Sequence, residues 1–321
     1  VETAPLLPAT AAVEVRMINL EAILVFGVLG FAPGLFWFWY FYRKDLEPEP
    51  IHLARNCFVL GVAATIPAGV LEGLIPLPPV LTAVISAPII EECSKFIVVY
   101  LVMFMHPEFD EPMDGITYAA SVALGFASLE NVMYLYNAFK GEGNLTLVMI
   151  MRAFLSVPGH ALFSSMWGYG LGLAKFADVG QSKEKIIITW LFAGIASHAL
   201  FNLVCSLNVL ATVGLLILVP ALWAFVDRRM RQALDSSPHI SDAGFRERLA
   251  QVRAKLSAAE AQKGWYQSKI ALFFLVFLVC FPVGMYGLAK NTSMSWPQKA
   301  VWLAIWAVSV LAVGLHGASH P

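Results

Sequence analysis

Apolar runs long enough to cross a bilayer follow one another along most of the chain, with one polar stretch of any size between them. A span needs about 20 mainly apolar residues. Such runs fall near 17–42, 57–75, 79–105, 115–139, 145–175, 186–206, 209–226, 270–289 and 299–317. The pattern predicts an all-α fold, a polytopic membrane helix bundle of about nine spans (about eight to ten), because helices satisfy their own backbone in lipid. The first run is too long for the apolar region of a signal peptide. It ends in Phe36-Trp37-Phe38-Trp39-Tyr40-Phe41-Tyr42, an interfacial aromatic belt rather than a cleavage site. The chain opens on Val1 rather than Met, from which we expect N-terminal processing.

The polar stretch divides the chain. Residues 1–226 read as a seven-span membrane domain, 227–269 as a basic amphipathic segment, and 270–321 as two further spans with a short tail. Within the middle segment, Phe245, Leu249, Val252 and Leu256 recur at helical spacing, and Arg246, Arg248, Arg253 and Lys255 occupy the opposite face. Ser241-Asp242 would open this helix and Gly264 lies near its end. It would pack on the protein, lie on an anionic leaflet, or dock a substrate or a second chain. With the N-terminus outside, fifteen lysines and arginines fall in inside loops and four in outside segments, the remaining Lys95 and Arg152 lying within spans. The positive-inside rule therefore predicts an outside N-terminus, a cytoplasmic C-terminus and a cytoplasmic 227–269.

Composition narrows the class. Apolar residues make up 59% of the 321 and charged ones 13%, against roughly 45–50% and about 25% in soluble domains. The mean hydropathy is +0.70. These values exclude an ordinary soluble enzyme, a disordered chain and a secreted disulfide scaffold. A net charge of −1 offers nothing to a polyanion, so no nucleic-acid partner is expected, and lipid is. Cys57, Cys93, Cys205 and Cys280 all sit in apolar runs with no C-x-x-C spacing, as small buried hydrophobes do.

Against this background, ionisable residues within spans stand out. Each costs about 2.5–3.5 kcal/mol on insertion scales and is a functional candidate. Glu91, Glu92 and Lys95 follow Pro88 in the third span; Glu130 and Asn131 lie in the fourth; Arg152 and His160 in the fifth; His198 and Asn202 in the sixth. Glu91 and Lys95 alone could be a buried i, i+4 pair, a single histidine could be an ordinary core residue, and Arg152 could be an interfacial anchor. Glu92, however, adds a second carboxylate to one lysine, leaving a negative charge that a cation or proton must neutralise. Two histidines on neighbouring spans with glutamates suit zinc, which takes imidazole nitrogen and carboxylate oxygen. Glu72 is set aside as an interfacial residue.

Four motifs in order carry a resemblance. Glu91-Glu92-Cys93-Ser94-Lys95 resembles the E-E-x-x-K motif of the PrsW family of intramembrane proteases, and Phe126 to Asn131 its F-x-x-x-E-N. Arg152 through His160 to Gly168 resembles its R…H-x-x-x-x-x-x-x-G segment, and His198-Ala199-Leu200-Phe201-Asn202 its last histidine helix. Asp114 to Tyr118 also fits. The similarity covers about 80–205. CAAX prenyl endopeptidases, distant relatives, share an E-E pair but usually carry histidine where Glu130 stands.

The resemblance implies hydrolysis of a peptide bond in a membrane-anchored protein of the anti-sigma-factor type, at the cell membrane, with the catalytic core at about 80–205. It implies zinc held by Glu130, His160 and His198, with Glu91 or Glu92 as general base, Lys95 as the counter-charge, and Asn131 or Asn202 donating to the oxyanion. Spacing does not separate Glu91 from Glu92. Pro88 and Pro158-Gly159 would loosen the helices there. The alternatives are a metal-free glutamic protease and a proton- or cation-coupled transporter using the same carboxylates. Single-cysteine labelling of intact cells is expected to find 227–269 shielded from membrane-impermeant reagents; labelling of that segment from outside would overturn the orientation.

Overall fold

The computed structural model describes residues 9–207 and 209–261, together with Lys290, Asn291, Met294, Gln298 and Lys299. Eight helices carry the described fold: α1 (Ala9–Tyr42), α2 (Ile51–Leu74), α3 (Ala87–Val102), α4 (Pro112–Asn137), α5 (Val157–Lys175), α6 (Lys183–Cys205), α7 (Val209–Asp235) and α8 (Ala243–Ala261). The architecture is all-α, as the sequence predicts. Residues 1–246 form one compact unit and 247–321 a second, of which the rest of α8 and the five isolated positions are described. Apart from Lys299, the runs expected at 270–289 and 299–317 lie outside the described residues. Phe245 N–H bonds to Asp242 Oδ1 at 2.9 Å, so the amphipathic helix opens where Ser241-Asp242 predicts.

Four described segments are long and apolar enough to cross a membrane: Leu24–Tyr42, Ile51–Leu74, Leu145–Lys175 and Lys183–Cys205. α3 carries Glu91, Glu92 and Lys95, whereas α4 is threaded with Asp114, Thr117, Ser121, Ser128, Glu130 and Asn131. Polar side chains of this density have to face protein rather than lipid. α4 accordingly sits at the centre, buried along almost all of Pro112–Ser128 and packed on α5, α2 and α1. Leu74, Leu101, Ile188 and Phe192 point outward, as a lipid-facing surface requires.

Small residues let the central helices approach. A Cβ on Gly125 would collide with the Phe58 carbonyl of α2, and one on Gly61 with the Val122 carbonyl of α4. This is close packing by small residues, which replaces the missing hydrophobic drive between helices in lipid.

Wide turns lead into α3 and α5. Pro79–Leu81 and a π-helical turn, Thr82–Ser86, precede α3; Leu145–Met151 and another π turn, Arg152–Ser156, precede α5. Pro88 and Pro158 follow these turns and lack the N–H that would continue the ladder. In the first turn Ala87 N–H bonds to Thr82, which frees the Ala83 carbonyl, and Asn202 Nδ2 of α6 donates to it at 2.8 Å. In the second, Val157 N–H bonds to Arg152, which frees the Ala153 carbonyl, and Trp37 Nε1 of α1 donates to it at 2.9 Å. Each opened turn is thus tied to a different helix by the group it liberates.

Gly125→Val is expected to overpack the α2–α4 contact and to destabilise the protein by about 1–3 kcal/mol or more. At Gly69 a Cβ meets nothing within 4 Å, so Gly69→Ala should change stability by no more than about 1 kcal/mol. Thermal unfolding in detergent compares the two.

Candidate active site

Lys95 is the centre of the buried cluster. It projects from α3 with no exposed surface, and its Nζ meets Glu92 Oε1 at 2.8 Å, Glu91 Oε2 at 3.3 Å and His160 Nδ1 at 3.0 Å. The Phe126 ring of α4 lies 4.4 Å from the same ammonium. Spacings of three and four put Glu91, Glu92 and Lys95 on one helical face. An ammonium removed from water needs such a shell of anions and a π-face.

Glu92 is saturated. Its Oε2 accepts Ser164 Oγ at 2.7 Å and Trp167 Nε1 at 2.9 Å, and its Oε1 contacts Lys95 and His198 Nδ1, the latter at 3.0 Å. Glu91 has fewer partners: Lys95, and His160 Nδ1 at 3.7 Å. Glu130 Oε2 lies 2.9 Å from His160 Nε2 and 3.0 Å from Arg152 Nη2. Arg152 Nε donates to Asn131 Oδ1 at 2.9 Å, and Asn131 Nδ2 donates to the Gly30 carbonyl at 3.2 Å. The two imidazole rings sit 5.0 Å apart, with His198 stacked on Phe163 at 4.8 Å.

The structure therefore gathers Glu91, Glu92, Lys95, Glu130, Asn131, Arg152, His160 and His198 from α3, α4, α5 and the turn before α5 into one site, together with α6. Asn202 Nδ2 holds the Ala83 carbonyl. Each histidine is clamped through one ring nitrogen by a carboxylate, His160 by Glu130 and His198 by Glu92, an arrangement that fixes ring orientation in metal sites. Glu91, His160 and His198 each offer a donor atom within 4.8 Å of the others, so this buried trio could hold a metal ion. A His₂Glu donor set suits a tetrahedral ion with one position open. Glu130 lies outside that trio.

Two contributors escape a reading of the spans. Ser164 and Trp167 follow His160 at i+4 and i+7, and that shared face was their available signal. Glu72 of α2 lies within electrostatic range of Glu91 and Glu130; nothing local distinguishes it from an interfacial glutamate.

A family model described as PrsW family intramembrane metalloprotease matches residues 49–225. Proteins named Protease PrsW are similar to this chain. The one from Geobacillus kaustophilus is 43% identical over 46% of this chain and 66% of its own length. The one from Bacillus subtilis is 34% identical over 54% and 77%, and that from Oceanobacillus iheyensis 31% identical over 65% and 95%. No solved structure matches.

Removing a donor from the buried Glu92 carboxylate is expected to cost about 1–3 kcal/mol for either Ser164→Ala or Trp167→Phe. Ser165 Oγ is buried beside them without a hydrogen-bond partner among the described residues, so Ser165→Ala should be close to neutral. Denaturation of the three variants in detergent checks this ordering.

Proposed function

The chain belongs to the PrsW protease family, and from that premise we propose that it hydrolyses a peptide bond of a membrane-anchored protein, of the anti-sigma-factor type, with zinc in the buried cluster. The coarse activity, a membrane peptidase acting on a protein, comes with the family. The observation that carries the finer reading is the convergence of Glu91, His160 and His198 donors within 4.8 Å inside the bundle. Glu91, His160 and His198 would hold the zinc once the Lys95 ammonium, 3.0 Å from His160 Nδ1 and 3.3 Å from Glu91 Oε2, withdraws toward Glu92; when bound, the zinc supplies an acidified water and polarises the scissile carbonyl.

The chain's own groups divide the remaining work. Glu92 has every acceptor position engaged, so it orients His198 and holds Lys95 rather than carrying protons. Lys95 offsets the charge of Glu91 and Glu92. Counting Glu91, Glu92 and Glu130 against Lys95 and Arg152 leaves one negative charge with neutral histidines, which favours a bound cation. Glu130 is the most accessible of the three carboxylates, its side chain 15% exposed against 7% for Glu91 and 0% for Glu92. A base must reach water, so Glu130 takes the proton of the attacking water and returns it to the leaving amine. This reading moves Glu130 from the expected ligand role to that of base, and Glu91 from one of two candidate bases to ligand. Asn131 is committed to Arg152 and Gly30 and positions the Arg152–Glu130 pair. The wide turns before Pro88 and Pro158 favour water entry beside the cluster. The chain's own N-terminus lies outside and its C-terminus in the cytoplasm, the orientation that its lysines and arginines favour.

The test combines metal content with cleavage of a co-reconstituted membrane-anchored substrate, without an ion gradient. Glu130→Gln should keep zinc close to one per chain and lose about 10²–10⁴-fold in cleavage rate. Glu91→Gln, His160→Ala and His198→Ala should lose the zinc as well. Zinc lost in Glu130→Gln and kept in Glu91→Gln would restore the opposite assignment. Undiminished cleavage by metal-free protein would favour the glutamic mechanism, and a gradient-driven flux a transporter.

A further inference from the structure

A second buried polar cluster lies at the other end of α4 and has no part in the peptidase site. Asp114 opens α4 and Glu130 lies toward its end, roughly 24 Å away along the helix axis. Asp45, from the loop between α1 and α2, meets Glu111 and Asp114 there, all three buried. One oxygen from each lies within 4.8 Å of the other two. Glu49 and Asp110 lie beside them, in reach of the same Asp114.

The carboxylates are held as acceptors. Asp114 Oδ2 accepts the N–H groups of Asp110 at 2.8 Å and Glu111 at 2.7 Å. Asp45 accepts the Glu47 N–H and the Thr117 hydroxyl, each at 3.1 Å. Glu49 Oε2 accepts the Tyr118 hydroxyl at 2.6 Å. The remaining oxygens are a different matter. Asp114 Oδ1 is fully buried and accepts no hydrogen bond from any described residue; both Glu111 oxygens are fully buried as well, the carboxylate facing the Asp114 N–H in a capping box. A buried acceptor left bare costs about 1–3 kcal/mol, more when charged.

The nearby cations are engaged elsewhere. Lys175 Nζ donates to the carbonyls of Phe104 at 2.8 Å and His106 at 3.1 Å. His239, on the turn after α7, reaches Asp110 at 3.1 Å. No described lysine or arginine pairs with Asp45, Glu111 or Asp114. Burial pushes the carboxyl groups of Asp45 and Glu111 above their ordinary range, and burial raises Glu49 to about 7. Lys175 and His239 thus lie near the cluster, but neither forms an ion pair with Asp45, Glu111 or Asp114.

We propose that Asp45, Glu111 and Asp114 form a binding site for one hard divalent cation of the Mg²⁺/Ca²⁺ class. An all-oxygen donor set selects such ions over zinc. Metal–oxygen distances of about 2.3–2.6 Å for Ca²⁺ let a single ion touch oxygens separated by up to about 5 Å, which the cluster satisfies. For Mg²⁺, at about 2.0–2.1 Å, waters complete the shell. Asp114 Oδ1 and the buried Glu111 carboxylate become ligands together with Asp45, and Glu49 lies beside them. The ion ties the α1–α2 loop to the start of α4, and so fixes the helix that carries Glu130 and Asn131 at its other end.

The experiment uses the full chain in detergent, stripped with chelator and then freed of it. Equilibrium binding with radioactive Ca²⁺, and Mg²⁺ in competition, should give about one site per chain with half-saturation between micromolar and millimolar. The thermal midpoint should rise by several degrees in the favoured ion. Glu111→Gln and Asp45→Asn should each lose the binding and the shift, and His160→Ala should keep both. That last variant separates this site from the zinc reading, which can fail without affecting it. Wild-type protein that binds neither ion at millimolar concentration overturns the proposal, as does a binding stoichiometry unchanged in both carboxylate variants. The ion with the lower half-saturation is the one the site takes.

Discussion

An ammonium without water needs acceptors on every side, and the core of this bundle is arranged to give Lys95 that shell. Its Nζ draws Glu91 and Glu92 from its own helix and His160 from α5, and rests over Phe126 of α4. Satisfying Lys95 therefore fixes the mutual rotation of three helices. The constraint propagates: Glu92, held by Lys95, holds His198 of α6 as well as Ser164 and Trp167 of α5. Removing one partner of such a buried network costs about 3–5 kcal/mol, because the others are left charged and unpaired. The same charges that would perform chemistry thus specify which helices meet and in what register.

The backbone obeys the same accounting. Proline at 88 and 158 makes two wide turns, and each wide turn leaves a carbonyl without its usual donor. Asn202 and Trp37 supply the missing donors from α6 and α1. Membrane helices tolerate irregular backbone where neighbouring protein re-satisfies it, and here the repair also joins outer helices to the two that carry the site. Asn202 shows the consequence for interpretation. This amide, four residues after a histidine, gives one of its N–H groups to the opened turn.

How far the sequence reveals this depends on whether a residue's partner is local. Glu91, Glu92 and Lys95 are legible because their spacing places them on one helical face and their charge is anomalous in an apolar run. His160 and His198 are legible as members of an ordered set, the PrsW-like motifs, on successive spans. The all-α architecture follows from the apolar runs, and the polar residues that α3 and α4 carry within theirs turn toward protein. Ser164 and Trp167 look unexceptional until Glu92 is known to lie opposite. Asp45, Glu111 and Asp114 are still less legible: they flank spans, where acidic residues are commonplace, and only the fold reveals that they are buried together.

α4 links the two polar clusters, one at each end of a helix buried over most of its length. Its small residues, Gly115 and Gly125 among them, bring neighbouring backbones into contact and leave little room for it to slide or rotate. A closely packed core transmits displacement rather than absorbing it. Glu130 is positioned by Arg152 and His160 at one end, and Asp114 by the backbone of Asp110 and Glu111 at the other. The loop end and the end that carries Glu130 are thus joined through one closely packed helix. Close packing therefore has two roles in this fold: it replaces the hydrophobic drive absent from lipid, and it holds the carboxylates in register.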